Sequence, residues 1–449
     1  MNRQKKFIVD GKEFIFDGTS VSLLANNKIP TNNELSYKEP NSQRTSYLKT
    51  LCLVINNRCN LCCEYCFANK GHYDKPNELM TFETAKKAID FLINSTRENG
   101  NNKITISFFG GEPLLNFTLM KSCVNYIETF SDIDCDYMIT TNGTLLTPEI
   151  VKFLQKYNFD TMISIDGNKA LHDYYRKFNS GKGSYDYVEK GIKLFDKKEL
   201  LNARITINNH NPEIHQYIDD ILQLGVKRIT FAVDYNISNE AFELFVVSLK
   251  KLIEKYFNDI MLGKYYEITN FSSVITTIAL HQRKLTFCNA GISYLTVSAD
   301  GKYYRCPRFV GKAEYSLNNV EESEKVKEKM AKFKSSLKDA PGARNAECNN
   351  CVYAFICGGM CYHHAVMAGK NQFENVPREC FQRRIMFEGI IRLICKLPTE
   401  KRRELLLFYT NLWKTMKGGT TSWQKQQTAC WTSVSRRKNL LSSKRARVM

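Results

Sequence analysis

Short apolar runs alternate with helical patterns through the first half of the chain. Residues 51–55, Leu-Cys-Leu-Val-Ile, make one uninterrupted run of buried-strand length, and the stretch 85–93 carries Ala88, Ile89 and Leu92 at helical spacing. The pair recurs, with strands expected over 104–109, 137–140, 161–165, 204–207 and 228–233 and helices near 119–130, 148–157, 187–195 and 213–224. Such alternation implies parallel strands joined by right-handed crossovers. Six units predict an α/β fold, a partial (β/α)6 barrel rather than the full eight. Ahead of it, residues 7–25 read as a hairpin turning at Asp10-Gly11, and 26–46 as a polar linker. After about residue 240 the alternation stops. A helical pattern over 242–256 leads to a hairpin of 294–297 and 302–304 around Asp300-Gly301, and 396–413 reads as an amphipathic helix. The expected units are 1–49 (hairpin and linker), 50–240 (partial barrel), 241–285 (helical linker), 286–395 (cysteine-rich) and 396–449 (helix and tail).

In barrels of this kind the chemistry sits at the carboxyl ends of the strands. The unusual motifs fall there: Cys59-Asn-Leu-Cys-Cys63-Glu-Tyr-Cys66 after the first strand, Gly110-Gly111-Glu112-Pro113 after the second, Thr141-Asn142-Gly143 after the third, Asp166-Gly167 after the fourth. Loops at one rim would bring all four together.

Ten of the sixteen cysteines fall into two arrays. The first is Cys59, Cys63 and Cys66, three thiols where a [4Fe–4S] cube takes four, which would leave one iron open. Cys62 is read as a bystander. The second array is Cys288, Cys306, Cys348, Cys351, Cys357, Cys361 and Cys380. Cys52, Cys123, Cys135 and Cys395 lie in apolar or helical patterns and read as ordinary buried thiols.

Sixteen cysteines without a secretory signal suit the reducing cytosol, so a cytoplasmic location is expected. No run of about twenty apolar residues occurs, so no membrane partner is expected. The net charge of +18 invites a nucleic-acid reading, but half of that excess lies in residues 414–449, which hold nine Lys or Arg and no Asp or Glu. A flexible basic tail accounts for it, and no nucleic-acid partner is expected.

The run Cys59/Cys63/Cys66 with Tyr65, followed by Gly110-Gly111-Glu112-Pro113, resembles the radical S-adenosylmethionine (SAM) superfamily, and the downstream array resembles its SPASM extension. The resemblance covers roughly residues 50–385. It implies SAM and three [4Fe–4S] clusters, one catalytic and two auxiliary. In that family SAM chelates the open iron, and an electron from the cluster releases a 5′-deoxyadenosyl radical that takes hydrogen from substrate. The resemblance further implies that Cys59, Cys63 and Cys66 hold the catalytic cluster, and that Tyr65, Gly110, Gly111, Glu112, Ser164 and Arg176 contact SAM. The glycines would admit its methionyl part, Glu112 would accept from its ammonium group, and Arg176 would match its carboxylate as a fork. His172 and Asp173 read as structural. Thr141 and Asn142 would line a ribose pocket or cap the next helix. Cys348, Cys351, Cys357 and Cys380 would close one auxiliary cluster, and Cys288, Cys306 and Cys361 would hold the other.

Sulfatase-maturing relatives place a further cysteine between the first two of that last set and an aspartate directly after the second. Here 289–305 contain no cysteine, and Cys306 is followed by Pro307-Arg308. Both departures suit a peptide maturase in which a substrate cysteine ligates an open iron. The reading is an enzyme forming thioether crosslinks in a ribosomally made, cysteine-rich precursor peptide, with a flavodoxin or ferredoxin as electron donor. The alternatives are formylglycine formation in a sulfatase and, from Cys348-x2-Cys351 and the basic tail, a zinc-ribbon nucleic-acid-binding protein.

Overall fold

The computed structural model describes residues 3–25, 47–73, 78–337 and 346–417. The expected linker over 26–46 and the basic tail beyond residue 417 lie outside the described residues. The chain opens with β1 (Gln4–Val9), β2 (Lys12–Asp17) and β3 (Ser22–Ala25), an antiparallel sheet in that order. Asp10 and Gly11, with φ of 48° and 71°, turn β1 into β2, the backbone that Asp-Gly suits in a two-residue hairpin. The sequence pattern shows the hairpin; β3, paired to β2 through Leu24 and Ile15, is an addition.

Six parallel strands follow in chain order: β4 (Thr50–Val54), β5 (Lys103–Phe109), β6 (Asp134–Thr141), β7 (Asp160–Ser164), β8 (Leu201–Ile207) and β9 (Arg228–Val233). Each pairs in parallel with the next. Between them run α1 (Phe82–Glu98), α2 (Phe117–Ile127), α3 (Pro148–Lys156), α4 (Lys169–Tyr175), α5 (Tyr185–Lys193) and α6 (Ile214–Gln223). Leu51, Cys52, Leu53 and Val54 are fully buried. A strand covered on both faces loses its alternation, which is why this one reads as a solid apolar run. The expected six-unit order is present; α4, capped by Asn168, stands where only a loop was expected.

The sheet does not end with these six strands. After α7 (Asn239–Met261), β10 (Glu267–Ile268) adds to β9 and leads into α8 (Thr269–Ala279). At the other edge β11 (Tyr294–Val297) pairs in parallel with β4, and β12 (Lys302–Tyr304) and β13 (Asn318–Asn319) extend it antiparallel, giving ten strands. The expected hairpin is therefore β11–β12, but it continues the barrel sheet. An unpaired β4 would bury a row of peptide groups without partners, and β11 supplies them.

The N-terminal sheet packs on the cysteine-rich part. Phe16 stacks on Tyr353, Lys5 pairs with Glu388 at 2.7 Å, and Arg3 donates to the Asn349 carbonyl at 2.9 Å. Glu388 lies on the helix Pro377–Lys396, which packs against α7 and α8. Among the described residues no helix is long and apolar enough to cross a membrane.

Candidate active site

The loop leaving β4 is zipped to the loop leaving β5. Gly111 N–H donates to the Asn56 carbonyl at 3.1 Å and Glu112 N–H to the Arg58 carbonyl at 2.7 Å. The Asn56 amide returns a bond to the Glu112 carbonyl at 2.9 Å. A Cβ at Gly111 would stand 2.2 Å from the Arg58 carbonyl oxygen, and one at Gly110 2.7 Å from that of Asn56. The two glycines therefore let the cysteine loop close onto β5, a tighter constraint than room for a ligand, although both also line the cavity beyond.

That cavity, about 730 Å³, is walled by Cys59, Cys63 and Cys66 and by the carboxyl ends of β5 through β9. Cys62 is turned away: its thiol donates to the carbonyls of Lys177 and Phe178 at 3.4 and 3.5 Å. Tyr65, Ser164 and Arg176 line the cavity. Arg176 Nη1 donates to Tyr65 Oη at 2.7 Å, and that hydroxyl donates to the Asp166 carboxylate. Asp166, itself buried, also accepts from Thr206 N–H at 2.9 Å. The row fixes the guanidinium, yet Arg176 Nε is buried without a partner, a donor left for something in the cavity.

Glu112 stands behind the wall. Its carboxylate accepts from Leu114 N–H (3.1 Å), Thr141 Oγ1 (2.7 Å) and Asn142 N–H (2.6 Å), and it is not among the residues lining the cavity. The three protein donors account for it as a brace between β5 and β6. Thr141 and Asn142 line the cavity, whereas the cap of α3 is Thr147, which accepts from Ile150 N–H. His172 and Asp173 serve structure, His172 against Ser184 at 3.0 Å and Asp173 accepting from Tyr185 N–H at 2.8 Å.

Burial, only partly offset by the bonds from Asn142 and Thr141, pushes Glu112 up to about 7 from the ordinary value near 4.5. The folded chain then holds a proton that the unfolded chain has released. This contribution to stability is full below about pH 4.5 and lost as pH rises through about 7, on the order of 3 kcal/mol across the window. Glu112→Gln should flatten that loss, which thermal unfolding measured from about pH 5 to about pH 8 will read.

The downstream cysteines lie at two places. Cys288, Cys306 and Cys361 line the same cavity as the first three. Cys348, Cys351, Cys357 and Cys380 line a separate cleft with Asn375 and Arg383. Asn375 Nδ2 lies 3.2 Å from Cys348 Sγ, and Arg383 Nη1 lies 3.5 Å from Cys357 Sγ. Burial first, then Cys361 and, more weakly, Cys288, push Cys306 up to about 12; burial, then Cys357 and Cys348, push Cys380 up to about 11. Among the described residues no three His, Cys, Asp or Glu side chains converge closely enough for a single metal ion. Cys52, Cys123 and Cys395 are buried in the core and Cys135 is half-buried.

Sequence reasoning missed Arg204, Arg308 and Asp234, all of which line the cavity. Arg204 carried a signal: it is the one charged residue inside β8, and its neighbours Ala203 and Ile205 are buried.

The model of the family described as the radical SAM superfamily matches residues 53–224. A protein of Methanocaldococcus jannaschii described as uncharacterized protein MJ0907 is 32% identical over 294 residues, 64% of this chain and 93% of its own. The radical SAM cyclopropyl synthase TigE of Paramaledivibacter caminithermalis is 26% identical, over 73% of this chain and 71% of its own. A cysteine-type anaerobic sulfatase-maturating enzyme of Clostridium novyi is also 26% identical, over 70% and 88%. Among solved structures, anSMEcpe with bound AdoMet and Kp18Cys peptide superposes with a TM-score of 0.63 at 22% identity, over 77% of this chain and 98% of that one. The cysteine loop at the end of β4, the strand order and these relatives lead to one conclusion: this chain belongs to the radical SAM superfamily of enzymes.

Proposed function

We propose that the protein is a radical SAM/SPASM peptide maturase that forms thioether bonds from cysteine sulfur to carbon in a ribosomally made precursor. The observation that carries this reading is one cavity lined by Cys59, Cys63 and Cys66 and also by Cys288, Cys306 and Cys361. The residues suit the groups that family membership implies. Three thiols face the cavity from one loop, Arg176 offers an unpartnered Nε, and Tyr65 and Ser164 complete a polar wall. Cys59, Cys63 and Cys66 would hold a [4Fe–4S] cluster with one open iron, Arg176 would take the SAM carboxylate, and the cluster with SAM supplies a hydrogen-abstracting radical.

Cys288, Cys306 and Cys361 offer three thiols and no fourth cysteine between 288 and 306. Such a set would hold an auxiliary cluster with an iron free for a substrate thiolate, the form of cysteine that metals bind. Cys348, Cys351, Cys357 and Cys380 would close the second auxiliary cluster. In sequence, the barrel unit 50–240 and the cysteine-rich unit 286–395 divide the work between radical generation and substrate sulfur. A flavodoxin or ferredoxin would supply the electron. Formylglycine formation is the rival, supported by the C. novyi relative. Against it, Pro307-Arg308 follow Cys306 where the sulfatase-maturing relatives carry an aspartate, and 289–305 hold no cysteine.

Co-expression with a cysteine-rich peptide encoded beside its gene should yield a product two hydrogens lighter per bond formed. Its cysteines should resist alkylation even after reduction, because a thioether has no S–S bond to exchange. Mass spectrometry decides: full recovery of thiols after reduction, or an aldehyde in a sulfatase peptide, overturns the reading.

A further inference from the structure

A second cavity of about 610 Å³ adjoins the first, and Arg204 and Arg308 line both. The other charged groups of the second cavity are already engaged. Lys284 donates to Ser273 at 2.6 Å, Arg378 to the Ile237 carbonyl at 2.7 Å and Arg383 to the Gly359 carbonyl at 2.8 Å. Glu379 pairs with His364 and Arg383, and Asp234 accepts from Asn236 N–H at 3.1 Å. Arg204 and Arg308 differ. Among the described residues neither guanidinium has a hydrogen bond or an ion pair within 4 Å; Arg308 only overlies the Phe67 ring at 4.9 Å. They lie close enough to repel: burial first and Arg308 second, against the opposing pull of Asp166, push Arg204 down to about 10, still cationic at neutral pH. Asp166 acts on Arg204, and Asp234 and Glu379 feel Arg308, only through space, so the donors of both guanidiniums stay open to the cavity, and the fork geometry of arginine matches a carboxylate.

The geometry points to Arg204 and Arg308 as a clamp for the side-chain carboxylate of an Asp or Glu in the peptide substrate, close in sequence to the residue that reacts. This rests on the peptide-maturase reading and deepens it, because it makes the substrate class an acidic peptide. Arg308 stands two residues after Cys306 and Arg204 on β8, so the clamp lies between the auxiliary thiols and the strand ends that wall the reaction cavity. The second cavity, which adjoins the clamp, would take the flanking residues.

The test uses the full-length enzyme with its clusters, immobilised under anaerobic conditions with SAM. The probe is a pool of synthetic nonapeptides with a central cysteine, in which one flanking position at a time carries Asp, Glu, Asn, Gln, Lys or Ala. Retained peptides are counted by mass spectrometry, so no turnover is needed. The wild type should retain Asp or Glu at one position about 30-fold over Asn or Gln, the ratio that corresponds to about 2 kcal/mol for a desolvated charge pair. Arg204→Gln should lose the preference, Arg308→Glu should shift it towards Lys, and Arg308→Lys should keep part of it. Each variant is checked for iron content and thermal unfolding first. Equal retention of Asp and Asn by the wild type, or an acidic preference unchanged in Arg204→Gln and Arg308→Glu, overturns the clamp. So does equilibrium dialysis in which these variants lose SAM while keeping the acidic preference, since the carboxylate is then that of SAM. The two readings fail separately. Acidic retention without 5′-deoxyadenosine from the wild type removes the radical function and leaves the clamp; 5′-deoxyadenosine with no acidic preference does the reverse.

Discussion

Replacing Cys59, Cys63 and Cys66 together by alanine should abolish 5′-deoxyadenosine formation and lower bound iron from about twelve to about eight atoms per chain. The loop itself should survive the change. It is held by Asn56, Gly111 and Glu112 on one side and by the bridge of Leu61 to Phe178 on the other, none of which uses a thiol. The seven cysteines of the downstream array stay in place, so their iron should remain. Cys62→Ser is the matched control, because that thiol faces the carbonyls of Lys177 and Phe178 rather than the cavity. Iron and sulfide analysis with a chromatographic assay for 5′-deoxyadenosine reads both. Cleavage that persists in the triple variant would falsify the assignment of the catalytic loop.

Arg176→Ala should keep the iron and weaken SAM binding by about 2–5 kcal/mol, the usual loss when one partner is stripped from a buried, hydrogen-bonded charge pair. Arg176 is buried at the carboxyl end of α4, and its Nη1 bond to Tyr65 holds it in place with Nε unused. Its loss also strips the compensating charge from Asp166, whose carboxyl is raised by burial and lowered chiefly by Arg176. Arg176→Lys should recover part of the affinity, since a point charge replaces the charge but not the fork. Equilibrium dialysis with labelled SAM measures the effect. An unchanged affinity in Arg176→Ala would move the carboxylate site elsewhere, with Arg204 the next candidate.

The six strand runs were legible because parallel strands covered on both faces must be apolar, and their crossover helices must show one apolar stripe. Residues 204–207 and 228–233 show the two limits of that signal. The second coincides with β9, while β8 begins at Leu201, three residues earlier than the pattern indicated, because Asn202 interrupts the apolar run. Asn202 is nonetheless buried, its side chain taking a bond from Thr230 at 3.1 Å. α8 was not legible. Thr-Asn-Phe-Ser-Ser-Val-Ile-Thr-Thr-Ile-Ala is poor in strong helix formers, and burial of Phe271, Val274, Ile275 and Ile278 overrides its propensity.

The sequence by itself determined the cysteine spacing, the glycine pair and the strand ends on which they fall, since loop chemistry is written in local residue order. The grouping of the downstream cysteines came from the family resemblance and not from local residue order. Tertiary structure decided the rest. Glu112 is drawn behind the wall by donors from β6 that no local pattern ties to it. β11 crosses from the β10 edge of the sheet to its other edge to pair with β4, between residues some 240 positions apart in sequence. The approach of Arg308 to Arg204 depends on that same crossing, and a long-range contact leaves no periodicity in the chain. Burial and register are properties of the packed sheet, so the charges that the cavity gathers become visible only once the sheet is assembled.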